Sequence, residues 1–385
     1  IAFIYETFIY SPKFESNSFG GDYVCKRNLR FLKSILGEEN VIEYHLKKSS
    51  LKRVIISSFS ACSYGMSRDE EKRIIKMALA NDCRIAFIEL SLRGNLAQLL
   101  LRNSIRTITF AHNVESQLYK HRHIHAKTLI SYFQYRIIRW NERKAINNTT
   151  KLITLTERDS LEMRKAYNRD ADMIIPISTS IKKDLFATSH NDDYFLFVGS
   201  DFFPNVEGIA WFIKNVAPYI NHEIWVVGSC CYNNAIKKLP LTSNVRLKGY
   251  IPDLDMCYRN ALAVIAPIFS GSGMKTKTIE ALSYGKSIFG TTEAFVGIET
   301  DFARIGGECN NAAEFIEKMN SLAYERINSY SIQLFLKYFS DIIAKKHFDN
   351  LIASLNNSIM INTSFIKNEK TTVHIFSSYL PNCRW

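Results

Sequence analysis

The fold is decided by one continuous stretch, VIAPIFSGSGMKTKTIEALSYGKSIF, which spans residues 264–289. An apolar run at 264–268 has the length of a buried strand, and small residues at 270–273 follow it. Apolar side chains at helical spacing then continue to Leu282, and a second short apolar run lies at 287–289. Strand, loop, helix and strand in this order form one unit of a mostly parallel sheet. We therefore predict an α/β fold.

The same alternation extends in both directions along the chain. In the first half we predict strands at residues 2–5, 41–44, 53–57, 84–89, 106–111, 151–155 and 173–175, and helices at 22–36, 69–81 and 156–167. In the second half we predict strands at 194–198, 223–227, 245–248, 264–268 and 287–289, and a helix at 206–216. Residues 312–348 have helical period, and no clear pattern follows to Trp385.

The 385 residues suffice for two domains at roughly 150 residues each. We predict an N-terminal doubly wound domain over 1–185 and a second one over 186–330, with a polar linker at 178–193. We expect residues 331–350 to form a C-terminal helix that packs back on the first domain, while 351–385 have no assigned role. Two such domains facing each other would leave a cleft at the carboxyl ends of their strands, where open α/β sheets bind ligands.

Composition narrows the class of protein. Hydrophobic residues make up 46% and charged residues 22%, which argues against a disordered or fibrous chain. Lys and Arg outnumber Asp and Glu by 49 to 37, and the net charge of +12 favours nucleotides, nucleic acid or acidic lipid as partners. The 8 cysteines include no CxxC pair, which fits a reducing compartment. Because we find neither a basic leader nor a run of about 18 uncharged apolar residues, we expect a cytoplasmic protein without a transmembrane helix.

The loop at residues 270–275 has the chemistry of an anion site. Small residues at Gly271, Ser272 and Gly273 let backbone N–H groups approach an anion, and a helix N-terminus adds about half a positive charge. Lys275 adds a full charge. The spacing matches neither a Walker loop nor the dinucleotide fingerprint, and a tight turn without a ligand is the alternative.

Glu280 lies about two helical turns into the helix that follows, on a small and apolar surface. Its carboxylate could accept hydrogen bonds from both hydroxyls of a ribose while the loop holds phosphates. A solvated glutamate on the helix surface is the alternative.

His112 stands just past an apolar strand in the first half, at the edge where a doubly wound sheet presents side chains to a ligand. It suits proton transfer or hydrogen bonding to a sugar hydroxyl, and the alternative is a structural histidine. Gly20 and Gly21 lie between the first strand and its helix, at the same edge by topology. They fit a ligand site and a simple turn equally well.

The segment from Tyr119 to Lys144 combines basic and aromatic residues with a single acid, Glu142. Such a face could lie on anionic lipid headgroups with its rings at the interface, or hold RNA. A solvated helix with a buried aromatic side is the alternative. We rank nucleic acid last because the segment matches no recognition motif, and we expect no nucleic-acid partner.

The second half resembles the nucleotide-binding domain of retaining glycosyltransferases of the GT-B fold, in the group called group 1 or family 4. The matching stretches are Phe197-Val198-Gly199-Ser200, Phe203-Pro204-Asn205, Trp211-Phe212, Val245-Arg246-Leu247-Lys248-Gly249-Tyr250, Pro267, Gly271-Ser272-Gly273-Met274-Lys275, Glu280-Ala281-Leu282, Gly285, Gly290-Thr291 and Gly297-Ile298. Their order and spacing agree over residues 194–299. In the first half the resemblance rests on Gly20-Gly21 and His112-Asn113-Val114-Glu115.

This resemblance implies two Rossmann-like domains facing a central cleft, and it implies roles for particular residues. Glu280 would bind the donor ribose, the loop from Gly271 to Lys275 the diphosphate, and His112 the transferred sugar. The expected catalytic residues are therefore His112, Lys275 and Glu280. The other expected donor contacts are Gly199, Gly271, Ser272, Gly273, Met274 and Thr276, and the expected phosphate or acceptor contacts are Gly20, Gly21 and Asn113.

Two departures from the family pattern concern residues that contact the donor, and they bear on which donor is used. Many members have an acidic residue where this chain has Ser272, eight positions before Glu280. Many also place an Arg and a Lys after the strand at 194–198, whereas residues 200–213 contain no basic side chain. Lys275 or Lys277 would then supply that charge.

The resemblance implies a retaining, metal-independent glycosyltransferase without a cofactor. It would use a nucleotide sugar and a glycan or lipid-linked acceptor in surface polysaccharide biosynthesis. The lipid linkage and a place at the inner face of the cell membrane rest on the basic aromatic segment from Tyr119 to Lys144 and on the net charge of +12. Two alternatives stay open. One is a non-catalytic partner subunit that keeps the GT-B fold, and the other is a sugar-nucleotide 2-epimerase.

Overall fold

A computed structural model describes residues 1–6, 20–46, 50–182, 193–271, 273–321, 325–363 and 372–376. The chain divides into two compact units, Ile1–Ile175 with Lys345–Trp385 and Pro176–Ala344. The first division thus falls at 175/176, whereas the sequence suggested 185/186. Residues at the start of the expected linker are ordered within the second unit, since Thr179 bridges Ser340 and the Ser178 hydroxyl donates to Asp341 Oδ1 over 2.7 Å.

The first unit is a parallel sheet flanked in sequence by helices. Strands and helices are numbered in order along the whole chain. Its strands are β1 (Ala2–Glu6), β2 (Val41–Leu46), β3 (Cys83–Glu89), β4 (Arg106–Ala111), β5 (Lys151–Thr154), β6 (Met173–Ile174) and, near the chain end, β13 (Thr372–Phe376). The sheet order is β1-β2-β13-β3-β4-β5-β6, with β1 also pairing with β13 and β3. The helices are α1 (Gly20–Leu36), α2 (Leu51–Phe59), α3 (Arg68–Ala80), α4 (Gly94–Arg102), α5 (Glu115–Ala126), α6 (Leu129–Asn147) and α7 (Glu157–Tyr167).

The chain returns to the first unit within α14 (Asp341–Thr363) because an aromatic cluster holds it there. The ring of Phe348 stacks 5.9 Å from that of Phe87 on β3 and 6.3 Å from that of Phe110 on β4. All three side chains are fully buried. Aromatic burial of this size dominates core energetics, so the helix that follows the second unit contributes to the core of the first.

The second unit is a doubly wound parallel sheet. Its strands are β7 (Tyr194–Val198), β8 (Glu223–Val227), β9 (Val245–Gly249), β10 (Ala263–Ala266), β11 (Ser287–Gly290) and β12 (Gly306–Glu308), in the order β12-β11-β10-β7-β8-β9. Its helices are α8 (Phe203–Asn215), α9 (Asn234–Lys237), α10 (Asp255–Asn260), α11 (Thr276–Ser283), α12 (Ala312–Asn320) and α13 (Ser329–Tyr338). The strand order reverses between β7 and β10, and ligands of such sheets bind at that switch point.

Most predicted elements are confirmed, and two differ. The single helix expected over 331–350 is divided between α13 and α14, and one predicted strand is wrong. Residues 53–57 form part of helix α2 where the sequence suggested a strand. The Ser50 hydroxyl caps that helix by accepting from the Arg53 N–H over 3.3 Å, and Val54 and Ser57, three positions apart, are buried. A short apolar run fits either a strand or a helix, so the capping residue was the informative signal. Strands β12 and β13 were not predicted.

Among the described helices, none is both long and apolar enough to cross a membrane.

Candidate active site

Two loops leave the carboxyl ends of β7 and β10 side by side at the switch point. Helix α8 packs tightly against the second loop, since a Cβ on Gly208 would lie 1.8 Å from the Pro267 carbonyl oxygen. A Cβ on Gly271 would lie 3.8 Å from Pro204 Cγ and 3.9 Å from Lys275 Cε. The N-terminal ends of α8 and α11 therefore meet at the place where the sequence predicted an anion site.

The β10–α11 loop depends on its glycines. Gly271 has a φ of 130° and Gly273 a φ of 67°, which side chains with a Cβ rarely adopt. Ser272 between them lies outside the described residues. Thr276 is the first residue of α11. Met274, a predicted donor contact, is buried, and its sulfur accepts from the Ile177 N–H over 3.4 Å, so its side chain packs within the second unit.

Lys275 braces this loop. Its ammonium donates to the Gly273 carbonyl over 2.7 Å and forms an ion pair with Glu293 Oε1 at 2.8 Å. Glu293 was not predicted, because it lies after β11 and reaches the loop only through the fold. The loop thus carries a lysine whose charge already has a carboxylate partner.

Lys277, the second residue of α11, reaches the other loop. Its ammonium donates to Asn205 Oδ1 over 2.6 Å and lies 4.4 Å above the ring of Phe197. Asn205 in turn donates to the Ser200 carbonyl over 3.1 Å. The first turn of α8 and the β7–α8 loop are therefore tied to α11 through this lysine. Gly199 at the end of β7 donates to the Val227 carbonyl over 2.9 Å.

Glu280 is oriented by a tyrosine. The buried Tyr258 hydroxyl donates to Glu280 Oε2 over 3.1 Å, and the Tyr258 ring stacks 4.9 Å from Tyr284. Burial raises the pKa of the Glu280 carboxyl, while the hydrogen bond from Tyr258 acts in the opposite direction. Tyr258 fixes one carboxylate oxygen, which suits a role in holding a diol. No sequence motif pointed to Tyr258.

Lys286, by contrast, is structural. Its ammonium is buried and donates to the carbonyls of Arg259, Ala261 and Arg326 over 2.8, 2.8 and 2.9 Å. Three backbone acceptors use all three of its protons.

In the first unit, His112 ends a buried hydrogen-bond chain at the carboxyl edge of the sheet. His112 Nε2 lies 2.5 Å from Glu89 Oε2, and Asn28 Nδ2 donates to Glu89 Oε1 over 2.8 Å. The Arg27 guanidinium donates to Asn28 Oδ1 over 2.8 Å. All four side chains are buried. Glu89 is the last residue of β3, and its place at the carboxyl end of a strand could have identified it from the sequence as a candidate site residue. Arg27 and Asn28 come from α1.

The remaining predicted residues of this unit lie at helix starts. Gly20 and Gly21 are the first two residues of α1. Asn113 follows His112, and its amide donates to Glu115 Oε1 over 3.4 Å. The structure therefore gathers His112 and Asn113 at the end of β4.

Two buried carboxyl groups follow His112, and they differ in their partners. Glu142 accepts from the N–H groups of Glu115 and Ser116 over 2.8 and 2.9 Å, from the Ser91 hydroxyl over 2.7 Å and from the Tyr167 hydroxyl over 2.6 Å. Glu115 Oε2 is buried without a hydrogen bond to the described residues. Burial, and then the charge of Glu142, raise the pKa of Glu115 from 4.5 to about 8. Glu142 thus caps α5 by accepting from its first two N–H groups, beside Glu115, whose carboxyl has a raised pKa.

We expect Glu115→Gln to flatten the pH dependence of stability. Between pH 4.5 and about 8 the unfolded chain has lost the Glu115 proton that the folded chain retains, so wild-type stability falls as pH rises through this window. The glutamine variant has no such proton, and it should melt higher than wild type at pH 8.5. Thermal unfolding from pH 5 to 9 measures this, with Glu157→Gln, at an exposed glutamate in the first turn of α7, as the control. Parallel curves for Glu115→Gln and wild type would contradict the assignment.

In the part of the chain that the structure describes, no group of at least three His, Cys, Asp and Glu side chains is placed to hold a metal ion.

Comparisons with known proteins agree with this arrangement. Residues 192–324 match the family described as Glycosyl transferases group 1. No curated protein sequence matches the chain. A crystal structure of a glycosyltransferase from Rickettsia africae aligns with a TM-score of 0.54 at 13% identity, over 88% of each chain. Anabaena HepE in complex with UDP aligns with a TM-score of 0.57 at 10% identity, over 92% of this chain and 99% of HepE.

The pneumococcal O-GlcNAc transferase GtfA, in complex with UDP and GlcNAc, aligns with a TM-score of 0.51 at 12% identity, over 74% of this chain and 59% of GtfA. At these identities the structural likeness establishes the fold alone. The fold is GT-B, with two Rossmann-like domains, as predicted. Residues 192–324 are thus similar to group 1 glycosyltransferase domains, within a chain that has the GT-B fold.

Proposed function

We propose that the chain transfers a sugar from a nucleoside diphosphate donor, with retention of configuration, to a glycan or lipid-linked acceptor in surface polysaccharide biosynthesis. One observation carries this proposal: a glycine loop, a helix N-terminus and a tyrosine-oriented glutamate converge at the switch point of a group 1 domain. The UDP complexes of HepE and GtfA, which share the fold, support a nucleotide donor.

In this proposal the second unit holds the donor. Glu280 accepts hydrogen bonds from the ribose hydroxyls, and the loop from Gly271 to Lys275 presents N–H groups to the diphosphate. Breaking the anomeric C–O bond leaves a nucleoside diphosphate with added negative charge, which preorganised N–H groups and lysines stabilise. The acceptor attacks from the face of the leaving group, and a phosphate oxygen takes its proton. The reaction then needs neither a dedicated base nor a metal ion.

We propose that His112 contacts the transferred sugar and that Asn113, Gly20 and Gly21 line the phosphate or acceptor side. The series of buried hydrogen bonds that runs from Arg27 through Asn28 and Glu89 to His112 supports the first role. Each polar side chain in this series holds the next in one orientation. A fixed imidazole is suited to positioning a sugar hydroxyl.

The membrane part of the proposal rests on the exposed face of α6. Leu129, Ile130 and Phe133 are 78%, 62% and 61% exposed, and Arg136 and Arg143 are exposed farther along the helix. Exposed apolar residues beside cations favour an anionic lipid surface, where apolar side chains enter the headgroup region and the cations bind lipid phosphates. An acceptor linked to lipid would be reached from such a surface.

We expect the purified chain to bind anionic vesicles at low salt and to lose most of that binding in Leu129→Ser/Phe133→Ser. Removing two apolar contacts lowers the area that enters the headgroup region, while the net charge is unchanged. Co-sedimentation with phosphatidylglycerol vesicles measures binding, and phosphatidylcholine vesicles test its charge dependence. Tyr219→Ser, which replaces an exposed aromatic residue of the second unit, is the matched control. A wild-type chain that ignores the anionic vesicles would exclude the membrane contact.

The donor is tested by thermal shift with UDP, GDP, ADP and CMP and their common sugars, without metal and then with magnesium. A ligand at about 100 times its dissociation constant adds about 2.7 kcal/mol, so the nucleotide that is bound should raise the melting temperature clearly. Stabilisation by one nucleoside diphosphate in the absence of metal supports the proposal. No stabilisation across the whole panel would contradict it and favour a non-catalytic subunit. Release of free nucleotide without an acceptor would favour a sugar-nucleotide 2-epimerase.

A further inference from the structure

We propose that Lys277, and not Lys275, is the cation that neutralises the donor diphosphate, and that it takes up a proton when the nucleotide binds. This inference rests on the proposed function and deepens it by naming the charge that replaces the basic pair absent from residues 200–213.

The two lysines differ first in their partners. The Lys275 ammonium lies 2.8 Å from the Glu293 carboxylate, and both side chains are largely buried, so this positive charge is already balanced. Lys277 has no carboxylate oxygen within 4.0 Å among the described residues, and its hydrogen-bond acceptor is the neutral amide of Asn205. An incoming anion therefore gains more from Lys277.

They differ next in position. The Lys277 ammonium donates to the side chain of Asn205 in the first turn of α8. Asn205 in turn donates to the Ser200 carbonyl in the β7–α8 loop. That loop is where the family pattern has its basic pair and where this chain has none. A lysine from α11 thus brings a charge to the same loop from a different element. The N-terminal ends of α8 and α11 add partial positive charges at this place.

The surroundings of Lys277 disfavour its charge while the site is empty. The groups that face it are Cys230 from the turn after β8, Lys275 and Glu280 from α11 and its cap, Phe197 from β7 and Asn205 from α8. Burial is the largest effect and lowers the pKa of Lys277 to about 7; Lys275 lowers it further, while Cys230 and Glu280 raise it. A diphosphate brings a strong opposite charge and should restore the ordinary pKa.

Proton uptake is the measurable consequence. At pH 8 a lysine with a pKa of about 7 is mostly neutral, so binding that returns its pKa to the ordinary range takes up about 0.9 proton per site. The phosphates of the nucleotide are fully ionised at that pH and contribute no proton.

The experiment is isothermal titration calorimetry with UDP at pH 8, in buffers of different ionisation enthalpy. If the thermal-shift panel selects another nucleoside diphosphate, that one is used. The slope of the observed enthalpy against the buffer enthalpy gives the protons taken up. We expect about 0.9 proton for wild type, close to none for Lys277→Arg with binding retained, and at least a tenfold loss of affinity for Lys277→Met. Lys214→Met, at an exposed lysine of α8, is the matched control and should behave as wild type.

Nucleotide binding by wild type without proton uptake, or equal uptake by wild type and Lys277→Arg, would overturn the inference and leave the proposed function standing. The wild-type titration requires no variant to fold. Failure of wild type to bind any nucleoside diphosphate would overturn the proposed function and this inference together, so the two failures are distinguishable.

Discussion

Glu89→Ala should lower the free energy of unfolding of the first unit by about 2 to 5 kcal/mol. The substitution leaves the Asn28 amide without its acceptor at 2.8 Å and His112 Nε2 without its partner at 2.5 Å, both in the interior. Asn28, which would lose this acceptor, is also the residue whose Oδ1 accepts from the buried Arg27 guanidinium. Each buried polar group that loses its partner costs about 1 to 3 kcal/mol.

Hydrogen exchange measured by mass spectrometry can test this for each unit separately. Peptides from β3 and β4 should lose protection in Glu89→Ala, whereas peptides from β7 and β8 in the second unit serve as the internal control. Glu39→Ala, at an exposed glutamate of the first unit, is the matched variant. Glu89→Gln keeps an oxygen acceptor and should cost less than Glu89→Ala. If β3 and β4 kept their protection from hydrogen exchange in Glu89→Ala, the hydrogen bonds that link Arg27, Asn28, Glu89 and His112 would not stabilise this unit.

Glu280→Gln and Lys275→Ala should each reduce sugar transfer at least about tenfold. Glu280→Gln removes the charge that would accept the ribose hydroxyls, and a hydrogen bond to a charged group is worth about 1.5 to 3 kcal/mol. Lys275→Ala removes the ammonium that holds the Gly273 carbonyl and Glu293, so the loop loses its brace next to the diphosphate. Initial rates with the nucleotide sugar selected by thermal shift give kcat/KM for each variant.

Two further variants sharpen this experiment. Glu317→Gln changes an exposed glutamate of α12 in the same unit and should leave kcat/KM unchanged. Tyr258→Phe removes only the hydroxyl that orients Glu280 and should have a smaller effect than Glu280→Gln. Wild-type rates in both Glu280→Gln and Lys275→Ala would remove these residues from the site.

Much of the candidate site was predictable because it lies on one continuous segment. The glycines, Lys275 and Glu280 share a strand, loop and helix, so local sequence dictates their order in space. Glu293 and Tyr258 come from other elements, and only the packing of β11 and α10 brings them to that segment. Glu89 shows the same limit in the first unit, because its partner Asn28 is 61 residues away.

The sequence by itself determined the class of fold and the glycine loop after β10, since strand period, helix period and the need for glycine at positive φ are local properties of the chain. The tertiary structure decided the rest. It turned residues 53–57 into a helix, returned α14 to the first unit through Phe348, and gave two nearby lysines different partners. The sequence offered either Lys275 or Lys277 as the charge that replaces the missing basic pair. Of these two, only Lys275 has a carboxylate within ion-pair distance among the described residues. Burial and charge pairing depend on atoms that the fold brings from distant parts of the chain, and burial lowers the pKa of Lys277.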